Sequence, residues 1–148
     1  MELLYVWIED YNNIHHQGFN FSPKHRFHFE PNEKEGPVTG GTLTYDDINP
    51  NYPDNFFGEH ISNITAIVGK NGSGKSSLVK AIGDATHFIE KIVLVYKHDE
   101  VYYYWKNIPQ YVKTEDTQLI EDGKEDEPNI YLGHVVYYSP FINSNRNY

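Results

Sequence analysis

Residues 69–76 form a glycine-rich octapeptide with the pattern G-x-x-x-x-G-K-S. Glycines at these positions let the backbone curl so that its N–H groups point inward around a polyphosphate. Lys75 would then reach the β- and γ-phosphates, and the hydroxyl of Ser76 could bind Mg²⁺. The pattern therefore predicts a phosphate-binding cradle, a name used below for residues 69–77.

The flanks of the octapeptide agree with this prediction. Residues 64–68 form a mostly apolar run that is short enough to be a buried parallel strand. After Gly74, apolar residues recur at the spacing of an amphipathic helix, namely at Leu78, Ala81, Ile82, Ala85, Phe88 and Ile89. A strand, a turn and a helix in this order would direct the positive end of the helix dipole at the phosphates. The competing interpretation is a tight glycine turn beside a solvated lysine.

The composition of the chain limits the kinds of fold, partner and reactive site that it can have. A chain of 148 residues fits one domain with a substantial core, and its 13 Tyr favour strands. The net charge of -9 and the absence of a clustered basic stripe argue against this segment gripping a nucleic-acid backbone. Because the chain has no cysteine, disulfides, thiolate zinc sites and cysteine nucleophiles are excluded.

The N-terminal residues predict the compartment. They include Glu2, Glu9 and Asp10, and they lack the basic start and long apolar core of a secretory signal. No segment of the sequence approaches the roughly 18 apolar residues that a membrane span needs. We therefore expect a cytoplasmic protein without a membrane span.

Short strands are predicted before the cradle. Residues 3–8 form an apolar run, and in residues 18–29 aromatic and polar residues alternate, so two antiparallel strands are expected. Proline and glycine punctuate residues 31–60, which leaves room for at most one short strand near residues 42–45. Residues 31–60 are therefore predicted to be mainly an inserted loop.

The part after the helix is predicted to add β-structure. Residues 92–96 and 101–105 are apolar runs that indicate a hairpin, and residues 130–138 indicate a last strand. Residues 114–128 carry seven acids and lack the ligand order of a calcium loop, so they predict a solvated loop. The histidines are expected to be exposed rather than metal ligands; those considered are His15, His16, His25 and His28.

A nucleotide hydrolase of this type also needs an apolar strand that ends in Asp, or Asp-Glu, to hold Mg²⁺ and orient water. The nearest candidate is Asp99, but it lies four residues beyond Val95, and the apolar run resumes at Val101. This spacing predicts a turn rather than a catalytic strand end. No catalytic residue is therefore assigned in this chain.

The cradle sequence, GKNGSGKSSLVKAI, resembles the ABC and SMC class of ATPases more than small P-loop kinases or GTPases. Residues 8–14, IEDYNNI, are similar to the strand and turn with which such AAA-type heads begin. The resemblance implies an α/β fold, a P-loop NTPase lobe in which the cradle strand and helix pack beside an antiparallel β layer. Residues 1–148 would form a single N-terminal, Walker A lobe of an incomplete head.

The same resemblance implies roles for individual residues, with ATP and Mg²⁺ as cofactors. Ser76 would bind Mg²⁺, and Ser77 would lie near the α-phosphate. The phosphate-binding residues would be Gly69, Asn71, Gly72, Ser73, Gly74, Lys75, Ser76 and Ser77. The residues facing the adenine base would be Tyr11, Asn12 and Asn13.

In that family a signature segment, LSGG, and an acidic strand end lie in a later lobe, and neither occurs in these 148 residues. The resemblance therefore implies an ATPase whose hydrolysis needs a C-terminal lobe of the same or another chain, with ATP joining two heads into a dimer. This chain alone would be inactive or very slow. Nucleic acid could be a partner of the full assembly, although this acidic segment does not indicate it.

Two alternatives stay open: a self-contained small P-loop kinase, and a truncated, non-catalytic nucleotide-binding or interaction module.

Overall fold

The computed structural model describes residues 2–33, 36–53, 56–61, 63–84, 91–109, 112–114 and 119–122. Within these ranges the chain forms eight strands and one helix. In chain order they are β1 Glu2–Tyr11, β2 Ile14–Asn20, β3 His25–Pro31, β4 Gly41–Asp47, α1 Lys75–Asp84, β5 Ile92–His98, β6 Val101–Lys106, β7 Val112–Thr114 and β8 Leu119–Glu121.

The larger of two sheets has the strand order β2-β1-β5-β6-β8. Its neighbours are antiparallel except for β6 and β8, which are parallel. Asn12 and Asn13 join β1 to β2, and Asp99 and Glu100 join β5 to β6. Asp99 and Glu100 both have positive φ, 45° and 66°, as two-residue hairpin turns favour. The hairpin and the turn at Asp99 predicted from the sequence are therefore confirmed.

The smaller sheet, β3-β4-β7, covers one face of the larger sheet. In β3 every second residue is buried, and Phe27 and Phe29 enter a core that includes Tyr5 and Trp7 of β1. The rings of Trp7 and Phe29 meet edge to face, with centroids 4.7 Å apart. The hydroxyl of Tyr5 accepts a hydrogen bond from the N–H of Phe29 at 3.1 Å, and burial raises the pKa of Tyr5 to about 12.

Helix α1 covers the opposite face of the larger sheet. Leu78 and Ala81 are buried against side chains of β1 and β5, including Val6, Ile8 and Leu94. These two strands carry continuous apolar runs, because a strand buried on both faces has no solvent-facing side. The order of layers is therefore small sheet, large sheet, helix. The described helix is not long or apolar enough to cross a membrane.

The predicted α/β fold class is wrong. The described residues form two mixed sheets with one short helix, whereas a P-loop α/β lobe contains several helices. The predicted cradle strand at residues 64–68 is absent from both sheets, and the side chains of Ile64 and Val68 are 60% and 87% exposed. An apolar run becomes a buried strand only where neighbouring strands pair with it, and no described strand pairs with residues 64–68.

Several local predictions are confirmed with shifted boundaries. Strand β1 extends the predicted run at residues 3–8 in both directions, and β4 is the one strand of residues 31–60 within the described part. Helix α1 is described as far as Asp84; Ala85, Phe88 and Ile89 lie outside the described residues, as does the predicted strand at 130–138.

Two further predictions need correction. Residues 119–121 of the predicted acidic loop form β8, because they pair in parallel with β6, while residues 115–118 and 123–128 are outside the described part. His25 is buried rather than exposed, at 5% relative exposure. It shares the inward face of β3 with Phe27, and its ring nitrogens lie 2.9 and 3.1 Å from the hydroxyls of Tyr45 and Tyr102.

Leu43 and Ile48 test how far the smaller sheet contributes to stability. Leu43 is fully buried between the sheets, whereas Ile48 at the end of β4 is 50% exposed. We expect Leu43→Ala to lower the free energy of unfolding by about 2–5 kcal/mol, because it leaves a cavity as well as removing buried apolar surface. Ile48→Ala should lower it by less than about 1 kcal/mol. Urea denaturation measures both, and equal effects would contradict the described core.

Candidate phosphate-binding cradle

The backbone of the cradle is a loop that leads directly into helix α1, and two of its glycines have left-handed backbone angles. Gly72 and Gly74 have φ of 80° and 91°, a region that side-chain-bearing residues rarely adopt. The N–H of Ser73 donates to the carbonyl of Lys70 at 3.2 Å, which closes the turn. The N–H of Leu78 donates to the carbonyl of Gly74 at 2.8 Å, which is the first hydrogen bond of the helix. The N–H groups of residues 75–77 are therefore the helix donors without an intrahelical acceptor.

Lys75 lies across the mouth of this loop. Its ammonium group donates hydrogen bonds to the carbonyl oxygens of Gly69 and Lys70, at 2.8 and 2.7 Å. It forms no ion pair with an acidic residue of the described ranges. The positive charge is thus held at the loop by neutral acceptors, which bind an ammonium group less strongly than a phosphate oxygen does.

The two serines that follow Lys75 have different environments. Ser76, the predicted Mg²⁺ ligand, is exposed on the first turn of α1. Ser77 is partly buried, and its hydroxyl donates to Oδ1 of Asn13 at 2.7 Å. Asn71 and Ser73 are exposed in the loop itself. The predicted phosphate-binding residues therefore lie together at one end of the helix.

Of the three residues predicted to face adenine, the structure brings Asn13 against the cradle. Its Nδ2 donates to the carbonyl of Gly72 at 3.2 Å. Its amide also lies next to the position that a Cβ atom would occupy at Gly74. Asn12, at φ 55°, is exposed at the turn, and Tyr11 packs at the edge of the core beneath α1. The contact between Asn13 and Ser77 joins residues 64 apart in the chain, so no local pattern could have predicted it.

An open cavity of about 480 Å³ adjoins the cradle between β2 and the segment that precedes the loop. Its volume lies in the range of about 300–1,000 Å³ that is usual for small-molecule sites. One wall is fixed because the side chains of Asn63 and Thr65 both donate to the carbonyl of Phe21, at 2.6 and 3.0 Å. The lining residues are Ile14, Gln17, Gly18, Phe19, Asn20, Phe21, Thr65, Ala66, Ile67, Val68, Gly69, Ser73, Gly74, Lys75 and Leu78.

The described residues form a β-rich domain in which the G-x-x-x-x-G-K-S sequence leads into helix α1. Comparison of the chain with protein-family models, with curated proteins and with solved structures finds no significant match. The resemblance to ABC and SMC ATPases therefore rests on the sequence motifs alone.

Gly72 and Gly74 offer a test of how closely the β1–β2 turn contacts the loop. A Cβ added at Gly72 would meet nothing within 4 Å, whereas one at Gly74 would lie 3.2 Å from Nδ2 of Asn13. Gly72→Ala should lower the free energy of unfolding by about 1–2 kcal/mol through its left-handed φ alone. Gly74→Ala should lower it by about 1 kcal/mol more, since it also displaces the Asn13 hydrogen bonds. Thermal or urea unfolding measures both, and an equal loss would show that Asn13 does not press on the loop.

Proposed function

We propose that the cradle binds the phosphates of a magnesium nucleotide, with ATP as the expected ligand. The observation that carries this proposal is the position of Lys75. Its ammonium lies over a left-handed glycine loop, bonded to Gly69 and Lys70, at the N-terminal end of α1. A polyphosphate is the ligand class suited to a positive charge beside a helix N-terminus whose first N–H groups have no intrahelical acceptor.

On binding, each group in the cradle would have a separate role. The free N–H groups of residues 75–77 would donate to phosphate oxygens, favoured by the positive end of the helix dipole. Lys75 would exchange the carbonyl oxygens of Gly69 and Lys70 for the more strongly accepting phosphate oxygens. The wrapping loop itself would consist of Asn71, Gly72, Ser73 and Gly74.

Magnesium would enter with the nucleotide rather than occupy a site prepared by the protein. No group of three or more His, Asp or Glu side chains that could hold a metal occurs among the described residues. Mg²⁺ prefers six oxygen ligands and often takes several of them from water and substrate phosphates. The exposed hydroxyl of Ser76 would supply one protein ligand, which fits a shared Mg-nucleotide site.

We further propose that the chain binds nucleotide without hydrolysing it efficiently. Asp99 lies in the β5–β6 turn, next to the pair formed by Glu2 and Lys97. The β1–β2 turn that contacts the cradle lies at the other end of the ten-residue strand β1, roughly 30 Å away. At that separation Asp99 cannot orient water at a γ-phosphate bound in the cradle.

The cradle sequence, rather than the fold, supports our assignment of this chain to the SMC/ABC-like ATPases. Its hydrolytic acid and signature segment would come from a C-terminal lobe of the same or another chain, and ATP would join two such heads. The cytoplasmic location expected from the sequence belongs to this proposal.

A non-catalytic nucleotide-binding module is the second candidate, favoured by the same distance between Asp99 and the cradle. A kinase would need a lid that brings an arginine or an acid over the cradle. Arg26 instead lies in β3 of the smaller sheet, where its side chain donates to the carbonyl of Ser22 at 3.0 Å, so the kinase alternative has less support.

Calorimetric titration with Mg-ATP tests nucleotide binding. We expect the wild-type chain to bind and Lys75→Ala to weaken binding by about 1.5–3 kcal/mol, or about 10- to 150-fold, because a charge-assisted hydrogen bond is lost. Lys80→Ala is the matched control, since Lys80 is exposed farther along the same helix, and it should leave the affinity unchanged. No binding by the wild type, or equal losses in the two variants, would contradict the proposal.

Phosphate release by the purified chain tests the second part of the proposal. Turnover should be far below the common enzyme value of about 10 s⁻¹, because Asp99, the candidate strand-end acid, lies roughly 30 Å from the cradle. A wild-type rate near that value that is abolished by Lys75→Ala would show that this chain contains its own water-activating group.

A further inference from the structure

Asn13 forms one hydrogen bond with Gly72 and one with Ser77, and together they show which group donates each proton. The carbonyl of Gly72 can only accept, so the atom of Asn13 that faces it at 3.2 Å must be the NH₂ group. This fixes the amide orientation and turns Oδ1 toward Ser77, at 2.7 Å. Because Oδ1 can only accept, the single hydroxyl proton of Ser77 is committed to Asn13.

The resemblance to ABC and SMC ATPases implies that Ser77 contacts a bound phosphate, and this contact would require the same proton. Phosphate oxygens are acceptors at neutral pH, so Ser77 can contact one only by donating its hydroxyl hydrogen. Asn13 cannot compensate by turning its amide over, because Oδ1 would then face the carbonyl of Gly72, and two acceptors repel. The hydrogen bond from Ser77 to Asn13 and one from Ser77 to phosphate therefore exclude each other.

We propose that Asn13 is a positioning residue that competes with the bound phosphate for the hydroxyl proton of Ser77. This inference rests on the proposed nucleotide binding and adds a regulatory consequence. When the cradle is filled, Ser77 rotates away from Oδ1 and the hydrogen bond that ties the β1–β2 turn to α1 is broken. When the cradle empties, that bond forms again. Nucleotide binding at the cradle thereby changes how the β1–β2 hairpin, at one edge of the larger sheet, contacts α1.

A double-mutant cycle that combines Ser77→Ala with Asn13→Ala tests this competition. The quantity of interest is whether Asn13→Ala increases or decreases the effect of Ser77→Ala on Mg-ADP affinity. In the wild-type background Ser77→Ala should weaken binding by less than about threefold, because the hydrogen bond to phosphate is gained only when the one to Asn13 is given up. In an Asn13→Ala background the hydroxyl has no competing acceptor, so Ser77→Ala should weaken binding by about threefold to tenfold. A larger loss in the Asn13→Ala background is the result that competition predicts.

Asn12→Gly is the matched control, because it changes the other asparagine of the same turn at a positive φ that glycine tolerates. In that background Ser77→Ala should have its wild-type effect. If Asn13→Ala does not fold, Asn13→Gly removes the same amide at a turn position where glycine is well accepted.

An equal or smaller loss in the Asn13→Ala background would overturn the inference while leaving nucleotide binding intact, since it would mean that Asn13 is neutral or helps Ser77 reach the phosphate. Failure of the wild-type chain to bind Mg-ADP would overturn both the inference and the proposed function. Where the wild-type chain does bind Mg-ADP, Lys75→Ala shows whether the cradle is the binding site, because its affinity falls only in that case.

Discussion

Strands β1 and β5 are buried on both faces, and this burial determines how the other described layers pack. Side chains such as Val6 and Leu94 point toward α1, whereas Trp7 and Val93 point toward the smaller sheet. Each fully buried apolar side chain contributes about 1.5–3 kcal/mol, so neither covering layer can be removed without a large loss of stability. The helix and the smaller sheet are therefore both required by the apolar runs of these two strands.

The position of the cradle follows from the same constraint. Because Leu78 and Ala81 must cover the β1–β5 face, the N-terminal end of α1 lies next to the β1–β2 turn. Asn13 then contacts both the loop and the helix, at Gly72 and Ser77. A binding loop held by a sheet in this way is positioned more accurately than a loop held only by its own ends.

Features with local sequence signals could be predicted, and features that depend on distant partners could not. The two-residue turn at Asp99 and the start of α1 at Lys75 follow from apolar spacing and from glycine within a few residues. The alternation of His25 with Phe27 also contained a signal for burial, since residues two apart share one face of a strand. Burial of His25 could therefore have been predicted from that alternation.

The apolar run at residues 64–68 shows the opposite case. Its composition suits a buried strand, but pairing depends on strands elsewhere in the chain, and the described residues leave Val68 exposed. The contact between Asn13 and Ser77 likewise depends on how the hairpin and helix pack, which no spacing within either segment encodes.

A ¹H–¹⁵N spectrum of the chain, recorded with increasing Mg-ATP, identifies the residues that respond to the nucleotide. If the cradle binds the phosphates, the backbone signals of residues 72–77 and the side-chain amide signal of Asn13 should shift together with one saturation curve. The signals of Asp99 and Glu100, at the other end of the larger sheet, should stay unchanged. Saturable shifts centred on another part of the chain, or no shifts at all, would contradict the assignment of nucleotide binding to the cradle.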